Sequence, residues 1–412
     1  MPWLRSLVAL FLCSVVAVAG DWPQWLGPNR DGSSPEKVAP WKKPLKVLWR
    51  KAVAEGNSGP VVAEGRVFIH AKVAKEDIEE VVAFDAKSGK ELWRNSYKRG
   101  PFTSFYGNGT RATPAVVGGR VYTFGITGLL TCFEADGGKQ VWQVDTVKKF
   151  NAKKLFFGMS CSPLVEGKNV LVNVGAKGAS VVAFEKDTGE TAWKSLDDKA
   201  SYSSPIVFGK GKERQVVFLT GDGVVSLAPA DGSLFWRFPL KDKLFESSTT
   251  PVRAGDLLLA SSITYGSVGL RLKTEDSKPA MAKVWKNADL TSYFSTPVPV
   301  GTKHIYIVTG GNPTVTKKAE ATLHCIEAGS GMELWKRPKV GKYHASLLRT
   351  GDDKLLMLEE AGELVLLDPS PKKYRELARC KVCGETWAHP ALANGRVYVR
   401  DEKELICLQL EN

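Results

Sequence analysis

Residues 81–93 read VVAFDAKSGKELW, and the pattern returns as LTCFEADGGKQVW at 130–142 and VVAFEKDTGETAW at 181–193. In each copy a small residue is followed six positions later by Gly and ten positions later by Trp. The five registers are Ala83-Gly89-Trp93, Cys132-Gly138-Trp142, Ala183-Gly189-Trp193, Ser226-Gly232-Trp236 and Cys325-Gly331-Trp335. Repetition at a period of roughly 40–50 residues is typical of arrays of identical structural units. The repeat therefore decides the architecture.

Each unit of the repeat reads as two successive β-hairpins. Apolar and polar residues alternate over 81–85, as in a strand, and Gly89 supplies the positive φ that the next turn needs. A second strand then ends in Trp93. Upstream, two apolar runs flank Gly118-Gly119, and the first begins after Pro114, a residue tolerated at the start of a strand. Each unit therefore predicts a four-stranded antiparallel sheet.

Strand starts and strand ends both predict eight sheets. An eighth start without Pro lies near Ser346, and a degenerate eighth end lies near Leu377. The prolines that open first strands are Pro60, Pro114, Pro163, Pro205, Pro251, Pro297 and Pro390. The tryptophans that close fourth strands are Trp49, Trp93, Trp142, Trp193, Trp236, Trp285 and Trp335. We interpret these indoles as core between neighbouring sheets, since a large ring beside a small residue buries much apolar surface.

The two ends of the chain predict a closed ring. The last unit, Pro390 to Leu410, ends after its third strand, whereas residues 46–50 form an orphan strand at the beginning. The early strand would complete the last sheet, and radial closure protects strand edges. We therefore predict an all-β, eight-bladed propeller of four-stranded antiparallel blades over residues 46–412, closed by an N-terminal strand in the last blade. An open stack of sheets is the alternative.

Residues 1–20 predict a secretory signal peptide. Arg5 precedes an apolar run over 7–18, and Ala17 and Ala19 offer small residues for cleavage. We expect export to the periplasm or the extracellular space, with residues 21–45 as an N-terminal extension of the propeller. A lipid anchor at Cys13 is disfavoured because the large Leu12 precedes it.

Charge and cysteines narrow the choice of partners. The formal net charge is +13, but Lys and Arg are spread through turns and strand ends, as on a solvated surface. Contact with a membrane surface or a glycan stays open, an integral membrane protein is not expected, and no motif points to nucleic acid. Cys380 and Cys383 form a CxxC, which predicts a disulfide, two free thiols or a metal site.

One face of the predicted ring carries the candidate binding site. The hairpin turns are tight, whereas the connections between sheets are long, as at 94–112 and 143–162, and such loops concentrate binding groups. The candidate binding face comprises Phe102, Phe105, Tyr106, Arg111, Phe156, Phe157, Tyr202, Tyr293, Phe294, Tyr343, His344 and His389. Their rings either bind a partner or fold down to plug the mouth of the central channel.

Small hydroxyl residues precede most first strands, as at 160–162 and 248–250. They either hold a polar ligand or satisfy backbone groups at the strand starts. A metal shared by His344 and His389 of adjacent units is a further hypothesis, but no third ligand can be argued. No spacing predicts a catalytic triad, a phosphate loop or a carboxylate pair, so we expect no catalytic, cofactor-binding or metal-binding residues.

The text Ala-Phe-Asp-x-x-Ser/Thr-Gly-Lys/Glu-x-x-Trp resembles the pyrroloquinoline-quinone (PQQ) type propeller repeat of the quinoprotein alcohol dehydrogenase-like superfamily. That superfamily includes PQQ-dependent dehydrogenases and the non-catalytic propeller of the outer-membrane β-barrel assembly machinery. Residues 21–32, DWPQWLGPNRDG, look like the start of exported planctomycete PQQ-like repeat proteins. The adjacent cysteines and the calcium ligands of the dehydrogenases cannot be matched here.

Three functions follow from these observations. The first is an exported, non-enzymatic scaffold that binds a protein or peptide on its loop face, in cell-envelope assembly. The alternative is a PQQ-dependent oxidoreductase that uses calcium and acts on alcohols or sugars. The third is a carbohydrate-binding module that works through the hydroxyl ring.

Overall fold

The computed structural model describes residues 20–310 and 319–410, so the predicted signal peptide, apart from Gly20, lies outside the described residues. The strands are β1 (Lys46–Ala52), β2 (Val61–Ala63), β3 (Arg66–Lys72), β4 (Ile78–Asp85), β5 (Glu91–Lys98), β6 (Ala115–Val117), β7 (Arg120–Phe124), β8 (Leu129–Glu134), β9 (Gln140–Asp145), β10 (Leu164–Glu166), β11 (Asn169–Ala176), β12 (Ala179–Glu185), β13 (Thr191–Ser195), β14 (Ile206–Phe208), β15 (Gln215–Leu219), β16 (Gly223–Leu227), β17 (Leu234–Pro239), β18 (Val252–Ala254), β19 (Leu257–Ser262), β20 (Gly266–Glu275), β21 (Lys278–Asn287), β22 (Val298–Val300), β23 (His304–Thr309), β24 (Ala321–Glu327), β25 (Glu333–Gly341), β26 (Ala345–Arg349), β27 (Leu355–Glu359), β28 (Glu363–Leu367), β29 (Glu376–Lys381), β30 (Ala391–Ala393), β31 (Arg396–Arg400) and β32 (Glu404–Gln409). One short helix, α1 (Thr146–Phe150), follows β9, and a 3₁₀ turn spans Gly211–Glu213. Among these elements no helix has the length and apolar character needed to cross a membrane.

The strands form eight four-stranded antiparallel sheets. Blades 1 to 7 take consecutive strands from β2–β5 to β26–β29, and blade 8 has the order β1-β32-β31-β30. The early strand β1 pairs along β32, from Lys46 opposite Gln409 to Ala52 opposite Glu404. The prediction of a closed, eight-bladed propeller is therefore confirmed, and the sheets do not form an open stack.

The repeated Trp joins most of the blades to the next one. In blade 1, Ala83 lies directly opposite Trp93, so a small side chain faces the indole. The ring lies on Gly138 of blade 2, where an added Cβ would come within 2.3 Å of it, and its Nε1 donates to Ala135 O at 2.8 Å. The same stacking pairs Trp49 with Gly89, Trp142 with Gly189, Trp193 with Gly232 and Trp285 with Gly331. Trp335 donates to Ser370 O of blade 7, whereas Trp236 donates to Gln215 Oε1 within its own blade.

Residues 21–36 run through the hub of the ring, and Arg30 is their anchor. Its side chain is fully buried, with 1% of the residue exposed. Nε donates to Pro205 O at 2.8 Å, Nη1 to Pro163 O at 3.0 Å and Nη2 to Ser162 O at 3.1 Å. These carbonyls belong to the starts of blades 3 and 4, so one guanidinium joins the two blades at the centre.

The rest of this hub segment contacts the other six blades. Trp22 forms an isolated bridge with Val62 of blade 1, and Pro23 O accepts from the N–H of Val116 in blade 2. The further contacts are Trp25 Nε1 to Thr250 Oγ1 at the start of blade 5, Gly32 against Val298 of blade 6, Ser33 bridged to Arg349 of blade 7, and Ser34 Oγ to Leu392 O of blade 8. The hub segment thus fills the channel that the first strands of the eight blades surround.

Cys380 and Cys383 are both buried free thiols in the structure, which is one of the three possibilities that the CxxC leaves open. The two side chains have different neighbours. Cys380, on β29, lies beside Trp41 and Leu45, whereas Cys383 lies beside Asp401. Burial raises the pKa of the Cys383 thiol to about 12, so it is protonated and unreactive at neutral pH.

Candidate functional site

A cavity of about 150 Å³ opens at the mouth of the channel, on the face that carries the connections between blades. We call this end of the ring the loop face, and the opposite end, with the tight hairpin turns, the turn face. The cavity is lined by Trp25, Asn57, Tyr106, Arg111, Phe157, Ser160, Ser162, Tyr202, Ser204, Ser248, Tyr293, Phe294, Thr296, His344 and Trp387. We call this set the mouth pocket. Its volume is suited to one side chain rather than to a large ligand.

On one side of the pocket, the aromatic side chains pack around Phe157. Its ring lies 4.8 Å from that of Phe156, 5.6 Å from Tyr202 and 5.6 Å from Tyr106, measured between centroids. These residues come from three successive connections between blades, so the aromatic contacts join loops that are distant in sequence. Edge-to-face and tilted contacts of this kind are stabilising and hold the rings in place.

On the other side of the pocket, the aromatic side chains pack around Trp387. The centroid of its ring system lies 4.6 Å from Phe294, 6.1 Å from Tyr343, 6.2 Å from Tyr106 and 6.5 Å from His344. Its Nε1 also donates to a carboxylate oxygen of Glu360 at 2.8 Å. The mouth pocket is therefore an aromatic enclosure with fixed walls.

Arg111 ties two of the loops together. Nε donates to Phe157 O at 2.9 Å, and Nη2 donates to Tyr106 O at 3.2 Å and Gly107 O at 3.1 Å. Burial lowers the pKa of Arg111 to about 10, which still leaves the guanidinium charged at neutral pH. Arg111 is therefore a structural clamp between two loops as well as part of the pocket wall.

Two rings of the candidate face point away from the pocket. Phe105 is 92% exposed and Phe156 is 67% exposed. Each is the chain neighbour of a buried or half-buried pocket ring, Tyr106 or Phe157. Both therefore stand on the rim of the pocket, while Phe102 lies half-buried in the loop of Phe105.

The hydroxyls at the strand starts bond one blade to the next. Each accepts a hydrogen bond from a backbone N–H of the preceding blade, at distances between 2.9 and 3.2 Å. The pairs, with the donor first, are Gly59 to Thr113, Thr113 to Ser162, Ser162 to Ser204 and Thr250 to Thr296. This geometry satisfies backbone donors near the hub and uses the hydroxyls for that purpose.

The two predicted histidines lie near each other but have different partners. His344 lines the mouth pocket, its Nδ1 3.0 Å from Ser295 Oγ and its Nε2 2.9 Å from Ser346 Oγ. Burial, and secondarily the nearby His389, lowers the pKa of His344 to about 3. His389 lies deeper, stacked on Trp22 of the hub segment at 6.2 Å, so it belongs to the hub and not to the binding face. Within the described ranges, no group of three His, Cys, Asp or Glu residues could hold a metal.

Sequence reasoning missed two tryptophans of the pocket. Trp387 was overlooked because it stands in a short connection, Glu385 to His389, that lacks the repeat pattern. Trp25 was overlooked because nothing in the sequence shows that residues 21–36 enter the hub. Seven residues predicted for the candidate face do line the pocket: Tyr106, Arg111, Phe157, Tyr202, Tyr293, Phe294 and His344.

The residues at the mouth do not fit PQQ, a planar quinone with three carboxylates that works with calcium. Arg111 is the one cationic side chain among the described lining residues, and it already binds three carbonyls. The same lining contains no carboxylate to hold calcium, which prefers oxygen ligands that carry charge. Deeper in the channel, Trp22 and Arg30 of the hub segment fill the space.

Comparison with known proteins agrees with this architecture. A family model described as outer membrane protein assembly factor BamB matches residues 77–337. A relative of that name from Yersinia pestis is 24% identical over 305 residues, which covers 70% of this chain and 71% of the relative. Among solved structures, BamB from Moraxella catarrhalis superposes with a TM-score of 0.61 at 13% identity, covering 89% of this chain and 98% of that one.

The enzymatic branch of the superfamily has the same fold. Quinohemoprotein alcohol dehydrogenase from Comamonas testosteroni superposes with a TM-score of 0.64 at 13% identity, covering 95% of this chain and 81% of that one. Identity this low shows a common fold and not a common activity. The resemblance to PQQ-type propellers is confirmed, and because the family model spans more than half of the sequence, the chain belongs to the family of the outer membrane protein assembly factor BamB.

Proposed function

We propose that this protein is an exported, non-enzymatic scaffold of the cell envelope that binds a protein partner through the mouth pocket and its rim. The family description and the relative from Yersinia pestis, both named for outer membrane protein assembly, support the envelope setting. The apolar segment predicted at the N-terminus supports export. The partner in this proposal is a protein or peptide of the assembly process.

The observation that carries the proposal is the aromatic enclosure around Trp387. Protein interfaces concentrate their binding energy in a few aromatic or arginine residues at well-packed pockets. Here the pocket is apolar, has fixed walls and opens to solvent between loops of several blades. A single apolar side chain of the partner is the natural occupant for a cavity of about 150 Å³.

The polar groups at the mouth already have hydrogen-bond partners within the protein, which favours binding over catalysis. Ser162 and Ser204 accept hydrogen bonds from backbone donors, and both ring nitrogens of His344 have serine partners. A nucleophile or general base needs a partner that activates it and a free path to the substrate. These groups are instead occupied in holding blades together.

The test is photo-crosslinking in intact cells from the pocket and from the opposite end of the ring. A crosslinker at Phe294 should trap a component of outer membrane assembly, and Trp387→Ala should abolish the adduct while the circular dichroism of the protein stays unchanged. Met332, an exposed apolar residue on the turn face, is the matched control position. Equal adducts from positions 294 and 332, or an adduct that survives Trp387→Ala, would contradict the proposal.

A further inference from the structure

Two neighbouring loops of the loop face carry positive charge and no negative charge. Residues 98–113 and 146–162 contain neither Asp nor Glu. They contain five exposed lysines, Lys98, Lys148, Lys149, Lys153 and Lys154. We call the exposed rings of Phe105 and Phe156, together with Lys153 and Lys154, which closely precede Phe156 in the chain, the basic aromatic ridge. Its chemistry differs from that of the adjacent mouth pocket, whose surface is mostly apolar.

The charges of the ridge are not neutralised within the described part of the chain. The lysines that form ion pairs there are others, namely Lys72, Lys273, Lys336 and Lys354. Lys149 lies over the rings of Phe150 and Phe184, and because Phe184 is close to the β12–β13 turn, this lysine is not part of the ridge. A cluster of unpaired cations attracts an anionic surface, and the attraction weakens as salt is added.

The exposed rings of the ridge are held on fixed backbone. The Arg111 guanidinium binds carbonyls of both loops, and the N–H of Ser104 donates to Asn108 Oδ1 at 2.8 Å within the first loop. Phe105 and Phe156 therefore protrude without a large ordering cost on binding. The ring of Phe105 is 92% exposed, so almost none of its apolar surface is buried within the protein. Transfer of this surface from water into an apolar medium is favourable.

We propose that the basic aromatic ridge docks the loop face onto an anionic phospholipid surface. Lysines near such a surface are attracted to its headgroups, and aromatic rings lodge at the boundary between headgroups and acyl chains. Protruding rings can insert into the interfacial region of a bilayer, which deforms around them. A protein partner would need a matching cavity for each ring. The ridge lies beside the mouth pocket, so membrane contact would bring the pocket close to a partner that emerges from the membrane.

The experiment measures binding of the full mature chain to vesicles. Vesicles of phosphatidylglycerol mixed with phosphatidylcholine should bind the protein, and vesicles of phosphatidylcholine alone should not. Phe105→Ala with Phe156→Ala, and separately Lys153→Gln with Lys154→Gln, should each weaken binding by on the order of tenfold. The matched controls are Lys87→Gln with Lys90→Gln and Met332→Ala, exposed residues of the turn face, which should leave binding unchanged.

Three results would overturn the docking proposal. They are equal binding to both kinds of vesicle, equal loss of binding in the turn-face controls, and no binding to phosphatidylglycerol at all. If the ridge variants instead lose the crosslinked partner and keep vesicle binding, the ridge binds an acidic protein surface and not lipid. The proposed function is contradicted by a different result, namely a crosslinked adduct that persists in the Trp387→Ala variant. The two failures are therefore distinguishable.

Discussion

Arg30 is the residue on which the centre of the ring depends most. Its three donor nitrogens satisfy carbonyls of Ser162, Pro163 and Pro205, and burial lowers its pKa to about 10 without neutralising it. Arg30→Met would leave these buried carbonyls without donors. We expect the free energy of unfolding to fall by about 3 kcal/mol or more.

Urea unfolding measures the effect, with Arg50→Met as the matched control. Arg50 is exposed and forms a surface ion pair with Glu404, so its loss should change stability by less than about 0.5 kcal/mol. Equal effects of the two substitutions would mean that the hub segment does not hold the blades together.

His344 makes stability depend on pH. Its pKa in the folded protein is lowered to about 3 from the ordinary 6.5, because the ring is buried and lies near His389. Between these two values the unfolded chain binds a proton that the folded chain does not. The contribution of His344 is therefore complete above pH 6.5 and falls as pH drops, by up to about 1.4 kcal/mol per pH unit.

The variant His344→Gln should reduce the slope of unfolding free energy against pH in this window. Some slope should remain, because burial also lowers the pKa of His389. Urea titrations at several pH values provide the measurement. An unchanged slope would show that His344 takes up its proton in the folded state as easily as in the unfolded chain.

At the scale of the elements, the hairpin between β8 and β9 offers a direct test of how the blades are joined. Gly138 has φ +69° and lies under Trp93, where a Cβ would approach the ring to 2.3 Å. The adjacent Gly137 has open space around it and no positive φ. We expect Gly138→Ala to lower the free energy of unfolding by about 2 kcal/mol.

Gly137→Ala is the matched control, one residue away in the same turn. It should be neutral, or stabilising by less than about 1 kcal/mol, because Ala only restricts the unfolded chain there. Thermal and urea unfolding of the two variants give the comparison. If both substitutions lowered the free energy of unfolding by similar amounts, the contact between Trp93 and Gly138 would not be what joins the two blades.

The elements also show what sequence can predict. Strand starts after Pro and strand ends at Trp come from local pairing rules, so the first strands β2, β6 and β10 begin directly after Pro60, Pro114 and Pro163. The path of residues 21–36 was not predictable, because each contact is made to a different blade and none repeats. Spacing alone leaves the state of the CxxC open, because it does not show that Cys380 and Cys383 have different neighbours.

At the scale of the whole molecule, the hub segment fills the centre of the channel, and the mouth pocket does not suit a quinone. We predict that PQQ with calcium produces no saturable change in Trp fluorescence, although Trp25 and Trp387 line the mouth and would report its binding. Bovine serum albumin at the same absorbance controls for inner-filter effects. A saturable quench together with a rise in the thermal midpoint would favour the oxidoreductase hypothesis instead.

In the molecule as a whole, we propose that the loop face is the working surface and that the turn face is structural. Hydrogen–deuterium exchange tests this most directly, if the protein is purified from native envelope with its partner and compared with the isolated chain. We predict slower exchange in the partner-bound form at 99–111, 288–296 and 382–389, on the loop face. Slower exchange confined to the hairpin turns around Gly65, Gly119 and Gly255, with the loop face unchanged, would contradict it.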